Sequence, residues 1–339
     1  MIDVLVAGGG PVGLVTAINA ALSGLDTIVV EPRQGPIDKA CGEGLMPGAL
    51  ASLARIGVSP RGLPFHGIRY IAGEKVAEAR FSRAPGRGVR RTELHGALRE
   101  RAGELGVRFV AGRVDSIVHG DESIQAAGVR ARYLVGADGL HSQVRTSLGL
   151  ASESRGRKRF GVRQHFAIRP WTDMVEVYWL RDAELYVTPV GEELVGVAVL
   201  GTAPLHLDAA ISLVPELAVR LDGAPGASEP RGAGPLRQRV SARRAGRALL
   251  VGDAAGYVDA LTGEGLRIGF AEAEAAVRAI VAGLPGRYEA EWRSITRSYR
   301  WLTNALLWTA SQPRLRPAVV PAARALPMAF DRIVDGLAY

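Results

Sequence analysis

The stretch that decides the fold stands at the start of the chain. It reads Ile2-Asp3-Val4-Leu5-Val6-Ala7-Gly8-Gly9-Gly10-Pro11-Val12-Gly13. The short apolar run predicts a buried strand, and the glycines after it predict a tight turn into an Ala-rich helix over residues 11–23. A β-branched strand over residues 26–31 completes a βαβ unit.

The glycine spacing GxGxxG, in this strand–turn–helix context, is typical of dinucleotide-binding folds. Gly8 permits the turn, Gly10 lets the backbone approach a pyrophosphate, and Gly13 lets the helix pack on the strand. Pro11 suits a first helical turn, where its missing N–H is not needed, and Val12 lies in the same turn. The pyrophosphate would lie on the helix N-terminus, which attracts anions. We therefore expect these residues to bind a dinucleotide.

An acidic residue at the end of the second strand narrows the choice of dinucleotide. Glu31 follows Gly13 by 18 residues and is placed to accept hydrogen bonds from a ribose. A carboxylate there favours an unphosphorylated ribose, hence FAD or NAD rather than NADP. Arg33, two residues further on, is a candidate contact for the anionic groups of the cofactor.

A second motif lies in the middle of the chain. It reads Gly136-Ala137-Asp138-Gly139-Leu140-His141-Ser142-Gln143-Val144-Arg145. Taken alone, it is a polar turn in which Ser142 caps a helix and Asp138 fixes the turn.

A third motif follows a short strand late in the chain. It comprises Gly252-Asp253-Ala254-Ala255-Gly256 and Leu261-Thr262-Gly263-Glu264-Gly265-Leu266. Asp253 would lie at the carboxyl edge of a sheet, where it can bind sugar or ribityl hydroxyls. Gly263 and Gly265 let backbone amides approach a flat ring, and the helix beginning near Leu266 directs its positive end at negative charge. A plain helix cap followed by a flexible loop is the alternative.

The three motifs, in this order and at these separations, resemble the FAD-dependent proteins of the p-hydroxybenzoate hydroxylase fold. That group includes single-component aromatic monooxygenases and geranylgeranyl-reductase-like flavoproteins, and the resemblance spans residues 1–285. It implies that the first motif binds the ADP half of FAD and that Asp253 contacts the ribityl chain. It also implies that the segment from Asp138 through Gly139 to Arg145 interacts with FAD and NAD(P)H, and that Arg91 contacts FAD. Val114 completes the predicted cofactor set.

A loop over residues 38–47 resembles the CG(x)GL loop of the reductase-like members and of some natural-product monooxygenases. The resemblance places Cys41, Gly44 and Leu45 near the isoalloxazine ring. Catalytic residues are not identified by the sequence; Cys41, Glu43 and His165 are weak candidates. For Cys41, a small packing residue is favoured over a reactive thiol.

The order of elements predicts an α/β fold with three parts. A discontinuous Rossmann-like FAD-binding domain is followed and interrupted by an antiparallel β-sheet substrate domain, and a helical C-terminal tail ends the chain. The expected bounds are 1–65, 91–155 and 240–285 for the first, 66–90 and 156–239 for the second, and 286–339 for the tail. We also expect a helix over 92–105 capped by Thr92, a strand over 113–118, four strands in 159–200 and a linker over 221–235.

Composition narrows the classes of function. The chain has 339 residues, 47% of them hydrophobic, which is ample for a large core. Its single cysteine excludes a disulfide framework, a Cys-ligated zinc site and a cysteine-ligated iron–sulfur cluster, and the histidines lack metal-ligand spacing, so no metal is expected. The net charge of +8 comes from arginines without a nucleic-acid-binding pattern. With neither a signal peptide nor a membrane span visible, a cytoplasmic location is expected.

The sequence leaves several functions open. The leading expectation is an FAD monooxygenase acting on an aromatic, polyketide-like or isoprenoid small molecule in secondary metabolism. The alternatives are an FAD-dependent reductase of isoprenoid or other alkene double bonds, and a non-catalytic flavin-binding relative. No second nucleotide-binding fingerprint is present, so NADH or NADPH would bind transiently. The oligomeric state is left open.

Two further regions have candidate roles in substrate binding or docking. The central sheet would direct four polar or aromatic residues at the flavin: Arg163, His165, Tyr178 and Tyr186. The tail combines apolar residues with arginines. A helix packed over the cofactor domain is the favoured interpretation, and a peripheral membrane or lipid-substrate surface is the alternative.

Overall fold

The computed structural model describes residues 1–154, 157–203 and 205–339. The predicted boundary between the FAD-binding domain and the substrate domain, between residues 155 and 156, lies outside the described residues. The strands are β1 (Ile2–Ala7), β2 (Thr27–Val30), β3 (Gly44–Leu45), β4 (Leu63–Phe65), β5 (Gly67–Ala72), β6 (Lys75–Arg80), β7 (Gly86–Gly88), β8 (Arg108–Val110), β9 (Ile117–His119), β10 (Ile124–Ala126), β11 (Val129–Gly136), β12 (Ala151–Ser152), β13 (Arg159–Phe166), β14 (Val175–Trp179), β15 (Ala183–Gly191), β16 (Leu194–Thr202), β17 (Arg231–Ala233), β18 (Arg239–Val240), β19 (Arg244–Ala245) and β20 (Ala248–Leu250).

The helices are α1 (Pro11–Leu22), α2 (Pro47–Arg55), α3 (Arg91–Glu104), α4 (Gln143–Ser147), α5 (Leu207–Ser212), α6 (Pro215–Leu221), α7 (Gly265–Val281), α8 (Tyr288–Ser311), α9 (Val319–Ala325) and α10 (Pro327–Ala338). Short 3₁₀ turns occupy Gly252–Ala255, Pro285–Arg287 and Arg316–Ala318.

A parallel sheet forms the core of the first part of the molecule. Its parallel strands lie in the order β20-β11-β1-β2-β8, with α1 packed against both α3 and α7. Strand β1 is buried on both faces, which is why its sequence is almost continuously apolar. Because β1, β11 and β20 run in the same direction in register, the three motifs that follow them meet at one edge of the sheet.

A second, largely antiparallel sheet forms the other part. Its strand order is β17-β13-β16-β15-β14-β5-β6, and only β14 and β5 pair in parallel. One face packs on α5 and α6 through residues such as Leu185, Val187 and Val197. Alternate residues on the opposite face point towards the parallel sheet, since side chains alternate along a strand. The space between the two parts is where the site lies.

The C-terminal helices connect the two parts. Helix α8 packs against α7, while α9 and α10 pack against β6 of the antiparallel sheet. A buried ion network holds this tail: Glu184 accepts hydrogen bonds from Arg159 at 2.5 Å and from Arg316 at 2.7 Å. Arg159 also donates to Asp259 at 3.0 Å. The tail is therefore an integral part of the fold. The predicted α/β class, with its Rossmann-like domain, antiparallel sheet and helical tail, is confirmed.

Three local predictions were wrong. Residues 113–116 are not a strand, because ladder pairing begins only at Ile117, which lies opposite Ala126. The expected linker over 221–235 contains β17, which pairs with the free edge of β13 despite its unpatterned, glycine-containing sequence. Helix α3 begins one residue earlier than expected, so its N-cap is Arg90 rather than Thr92.

Candidate active site

The three motifs and one face of the antiparallel sheet surround a single cavity of about 330 Å³. The motif end contains Gly10, Asp138 and Asp253, each directly after a parallel strand. The sheet end is lined by side chains from several antiparallel strands. The cavity therefore joins the two parts of the molecule.

The glycines of the first motif are needed for different structural reasons. A Cβ atom on Gly13 would lie 1.9 Å from the carbonyl oxygen of Gly8, so helix and strand pack too closely for any side chain. Gly8 has φ of +107°, and a Cβ there would lie 2.5 Å from the oxygen of Ala137. A Cβ on Gly10 would meet nothing within 4 Å, and this residue lines the cavity. Gly8 and Gly13 build the turn, whereas Gly10 leaves room for a ligand.

Glu31 is buried at the end of β2 and is fully hydrogen-bonded. Its Oε2 accepts from the Gly9 N–H at 2.8 Å and from Arg33 Nη2 at 3.1 Å. Its Oε1 accepts from the backbone N–H and the Nε of Arg33. These bonds, opposing the effect of burial, leave the pKa of Glu31 below its usual value. The carboxylate is ionised and oriented, and the half-exposed Arg33 side chain donates hydrogen bonds to both of its oxygens.

Two buried polar groups at this end have atoms without a partner. Nε and Nη1 of Arg91 make no hydrogen bond to any described residue, and the same holds for Oδ1 of Asp138. The other oxygen of Asp138 accepts from the Val144 N–H at 3.1 Å. Buried polar groups are nearly always paired in native proteins. A cationic donor and a carboxylate acceptor facing one cavity fit the pyrophosphate and hydroxyl groups of a dinucleotide.

Lys39 also lies at this end of the cavity, although none of the motifs indicated it. A Cβ on Gly139 would lie 2.8 Å from its Nζ, so the ammonium lies over the second motif. Burial lowers the pKa of Lys39, while the charge of Asp253 opposes that effect. Arg33 and Arg91 also line the cavity. Three cations thus surround the position predicted for an anionic ligand. The only sequence signal was that Lys39 is a rare lysine in an Arg-rich chain.

Arg145 lies beneath the third motif instead of facing the cavity. Its Nη1 donates to the carbonyl oxygens of Asp253 and Ala254, at 3.2 and 3.3 Å. Its Nη2 donates to Leu140 and to Gln238. The direct contact with an anionic ligand that the sequence suggested is replaced by four protein acceptors. Arg145 therefore ties the second motif to the third.

The third motif brings a glycine-rich turn to the cavity wall. Gly263, with φ of +69°, Gly265 and Leu266 all line it, and α7 begins at Gly265. Glu264 is buried and pairs with Arg267, and burial raises the pKa of Glu264. Tyr257, which the motifs did not indicate, also lines the cavity.

The sheet end of the cavity is apolar and aromatic, in contrast to the charged motif end. Ile68 and Tyr70 on β5, and Val175 and Val177 on β14, are pairs of alternate residues that share one face. The phenol of Tyr186 donates to the carbonyl oxygen of Leu261 at 3.0 Å. The described side chains that pack together here are apolar or aromatic: Met46, Phe65, Ile68, Tyr70, Val175, Val177, Tyr186, Leu261, Phe330 and Val334. This end would accept a neutral, apolar molecule.

The three weak catalytic candidates are close together. Cys41 and Glu43 line the cavity, and Sγ of Cys41 accepts from the Glu43 N–H at 3.4 Å. His165 lies behind Glu43, with Nε2 and Oε2 2.6 Å apart. The cysteine therefore has a hydrogen-bonding role in the turn.

Most of the predicted site residues line the cavity. They are Gly10, Pro11, Val12, Arg33, Cys41, Glu43, Gly44, Arg91, Asp138, Gly139, Gly252, Asp253, Gly263, Gly265 and Leu266. The others lie behind its wall, with Leu45 and Val114 in the apolar core. Of the four sheet residues, Arg163 and Tyr186 line the cavity and His165 lies beneath it. Tyr178 was wrongly predicted, because it lies on the opposite face and donates to Glu176.

A Rossmann-like cleft joined to an apolar sheet face defines the chain as a flavoprotein oxidoreductase of the p-hydroxybenzoate hydroxylase type. A family model described as FAD binding domain matches residues 1–292, and the chain belongs to this family of FAD-dependent oxidoreductases. Its cofactor is FAD.

Known proteins of similar sequence and structure have related activities. The chain is 31% identical to menaquinone reductase of Mycolicibacterium smegmatis, covering 88% of this chain and 80% of that protein. It is 32% identical to rifampicin monooxygenase of Rhodococcus hoagii over 43% of this chain and 33% of that one. The crystal structure of p-nitrophenol 4-monooxygenase from Pseudomonas putida has the same fold, with a TM-score of 0.81, 19% identity and coverage of 98% and 96%.

Proposed function

We propose that this protein is an FAD-dependent reductase of a neutral, apolar isoprenoid- or quinone-type molecule. The observation that carries the proposal is the apolar sheet end of the cavity, which continues directly into the charged cofactor end. On β5 and β14, the residues that line the cavity carry no charge: Ile68, Tyr70, Val175 and Val177. Arg163 on β13 also lines the cavity, but its charge is paired with that of Asp38. A carboxylate substrate would lack a counter-charge at this end. The extent of the match to a menaquinone reductase supports the same substrate class.

The residues at the cofactor end have distinct roles in this proposal. Arg91 and Lys39 would neutralise the pyrophosphate, and the first turn of α1 would donate N–H groups to it. Glu31 would accept from the ribose after Arg33 moves aside, and Asp253 would accept from the ribityl chain. FAD supplies two-electron redox chemistry when bound. The N-terminus of α7 would stabilise negative charge on the ring.

Purification tests this proposal directly. We expect a yellow protein whose flavin is bleached by NADH or NADPH without oxygen and regains colour when a prenylated naphthoquinone is added. Mass spectrometry should show a product that has gained two hydrogens. A colourless protein that cannot be reconstituted with FAD overturns every flavoenzyme interpretation. Replacement D253A should weaken FAD retention, whereas E192Q in an exposed turn should not.

A monooxygenase reaction is the second candidate. The match to rifampicin monooxygenase over 43% of the chain favours it. In that case, NAD(P)H oxidation requires oxygen, and hydrogen peroxide is released when no substrate is present. The product has gained one oxygen atom. Measuring NAD(P)H oxidation with and without oxygen therefore distinguishes the reductase from the monooxygenase. NADH or NADPH as transient reductant remains part of both.

We also propose that the tail docks the protein on an anionic membrane surface. Residues 286–339 contain eight arginines and four acidic residues, which gives this segment half of the chain's net charge. Trp301 and Trp308 on α8, and Leu326 and Met328 at the start of α10, are largely exposed. Aromatic and basic side chains on one element are typical of interfacial helices. In the described parts of the chain, no helix is long and apolar enough to cross a membrane.

Vesicle sedimentation tests the docking surface. The protein should pellet with phosphatidylglycerol vesicles and remain in solution with phosphatidylcholine vesicles, and binding should weaken in salt. The double replacement W301S/W308S should weaken it, whereas V219S, at an exposed apolar residue on α6, should not. Equal binding by all three proteins would refute this surface.

A further inference from the structure

Glu43 has an unusual conformation for a residue at the cavity wall. Its φ is +58°, and its side chain is buried. A non-glycine residue in the left-handed region is strained, and a buried carboxylate adds a desolvation cost. Other contacts must offset both.

The carboxylate of Glu43 bonds to two different elements. Oε1 accepts from the Arg91 backbone N–H at 2.8 Å, and Oε2 lies 2.6 Å from His165 Nε2. Helix α3 has no side-chain cap at Arg90, its own N-cap residue. Glu43 therefore caps this helix from a distant loop, where the helix dipole favours a negative charge. The first residue of the capped helix is Arg91, a half-buried residue that lines the cavity and whose Nε and Nη1 have no partner among the described residues.

The protonation of His165 follows from its neighbours. Arg163 Nη1 lies 3.1 Å from His165 Nδ1, and a guanidinium can only donate. Nδ1 must therefore accept, so the proton lies on Nε2 and is donated to Glu43. This tautomer is assigned from the hydrogen-bond network. Arg163 is itself buried and paired with Asp38, at the start of the same loop.

We propose that Glu43 is a positioning residue that acts on FAD through Arg91, and that Arg163 and His165 hold it in place. The inference rests on the proposed FAD site. Strand β13 of the substrate sheet is thereby connected to the residue that faces the cofactor's anionic groups. Cofactor affinity then depends on a side chain that has no contact of its own with the cofactor.

A double-mutant cycle with the replacements E43Q and R91M tests this inference. Glutamine offers one acceptor and one donor where two donors approach, so one contact of Glu43 is lost. FAD titration of the apoprotein by fluorescence should show E43Q raising the dissociation constant about tenfold, which corresponds to about 1.4 kcal/mol of binding free energy. In the R91M background, E43Q should change the constant by less than about twofold.

Histidine variants provide a second route if E43Q does not fold. H165Q retains an N–H that can donate to Glu43 and should bind FAD more tightly than H165A. The effect of H165A should also disappear in the R91M background. Thermal unfolding checks that each variant is folded, and E192Q is the matched control.

The possible outcomes are distinct. If the wild-type protein binds no FAD, the proposed function fails. If it binds FAD but E43Q has the same effect in both backgrounds, the residue has a general structural role and this inference is wrong. If R91M alone leaves FAD affinity unchanged, the action through Arg91 is wrong as well.

Discussion

The two ends of the cavity have opposite chemistry. The cofactor end combines the cations Arg33, Lys39 and Arg91 with the acids Asp138 and Asp253. The sheet end is a layer of aliphatic and aromatic side chains from β5, β14, β15 and the C-terminal helices. The first selects a ligand by charge and hydrogen bonds, and the second selects by shape and apolar contact. Substitutions at one end should therefore affect the binding of one ligand and leave the binding of the other unchanged.

The largest effect is expected at the glycine turn of the cofactor end. In G13A, the new methyl group would lie 1.9 Å from the Gly8 oxygen, so strand and helix must separate. We expect aggregation or loss of several kcal/mol of stability, in the range of severe core substitutions. G10A should fold normally, since its methyl group meets only open space, but should bind FAD weakly. Thermal unfolding and FAD titration of the pair check this; a stable G13A would contradict the close packing.

The next largest effect is expected on the pH dependence of stability, at a buried carboxyl behind the cofactor end. Burial raises the pKa of Glu272 from 4.5 to about 8, although its Oε2 accepts from the Gly252 N–H. The unfolded chain ionises near pH 4.5 while the folded protein holds the proton. Stability is therefore lost as pH rises from about 4.5 to 8. E272Q should remove this loss, so its melting temperature should exceed that of the wild type increasingly up to pH 8.

The control is E274Q, two residues away on the same helix and partly exposed. It should follow the wild-type pH profile. Parallel profiles for E272Q and the wild type would show that Glu272 ionises normally.

At the sheet end, a smaller change should affect the substrate alone. V177T places a hydroxyl in the apolar face at almost constant volume. Burying a hydroxyl without a partner costs about 1–3 kcal/mol, so kcat/KM should fall roughly tenfold or more. The FAD dissociation constant should stay unchanged. V187T, on the opposite face of the same sheet, should lower stability without this kinetic effect; equal kinetic losses would contradict the assignment of the two faces.

The smallest effect is expected outside the cavity. Arg80 donates to Asp173 on the exposed edge of the sheet, and this bond lowers the pKa of Asp173. Its contribution is present above the ordinary carboxyl pKa and is lost as pH falls below it. R80A should reduce stability at neutral pH only slightly, since exposed ion pairs contribute little. Urea unfolding at pH 7 and pH 3 checks this baseline.

The cofactor end could be predicted from the sequence to a large extent. Its residues are consecutive in three motifs, each directly after a parallel strand, so Gly10, Asp138 and Asp253 converge by the rules of the fold. The geometry of Lys39 could not be predicted, since it depends on the path of a loop. Arg145 was predicted to contact the cofactor, but its guanidinium donates hydrogen bonds to three backbone carbonyl oxygens instead.

The sheet end could not be assembled from the sequence. Its residues come from alternate positions on separate strands, and alternation alone does not say which face is inward. Tyr178 and Tyr186 show this, because both lie on alternating strands and only Tyr186 reaches the cavity. β15 pairs with β14 so that Tyr186 lies opposite Val177 and shares its face, whereas Tyr178 lies opposite Leu185. The pairing of β14 with β5 then joins residues more than 100 positions apart, which the sequence alone does not indicate.

The position of β20 in the parallel sheet has a consequence for the order of events during synthesis. β20 pairs with β11, yet five of the seven strands of the substrate sheet, β13–β17, lie between them in the chain. The ribosome must therefore produce the whole antiparallel sheet, and then α7, before the flavin cleft can close. A nascent chain released before β20 leaves the Leu134–Gly136 edge of β11 without its partner strand, and an unpaired strand edge is a template for aggregation. The protein can acquire its cofactor only after these later segments have been made.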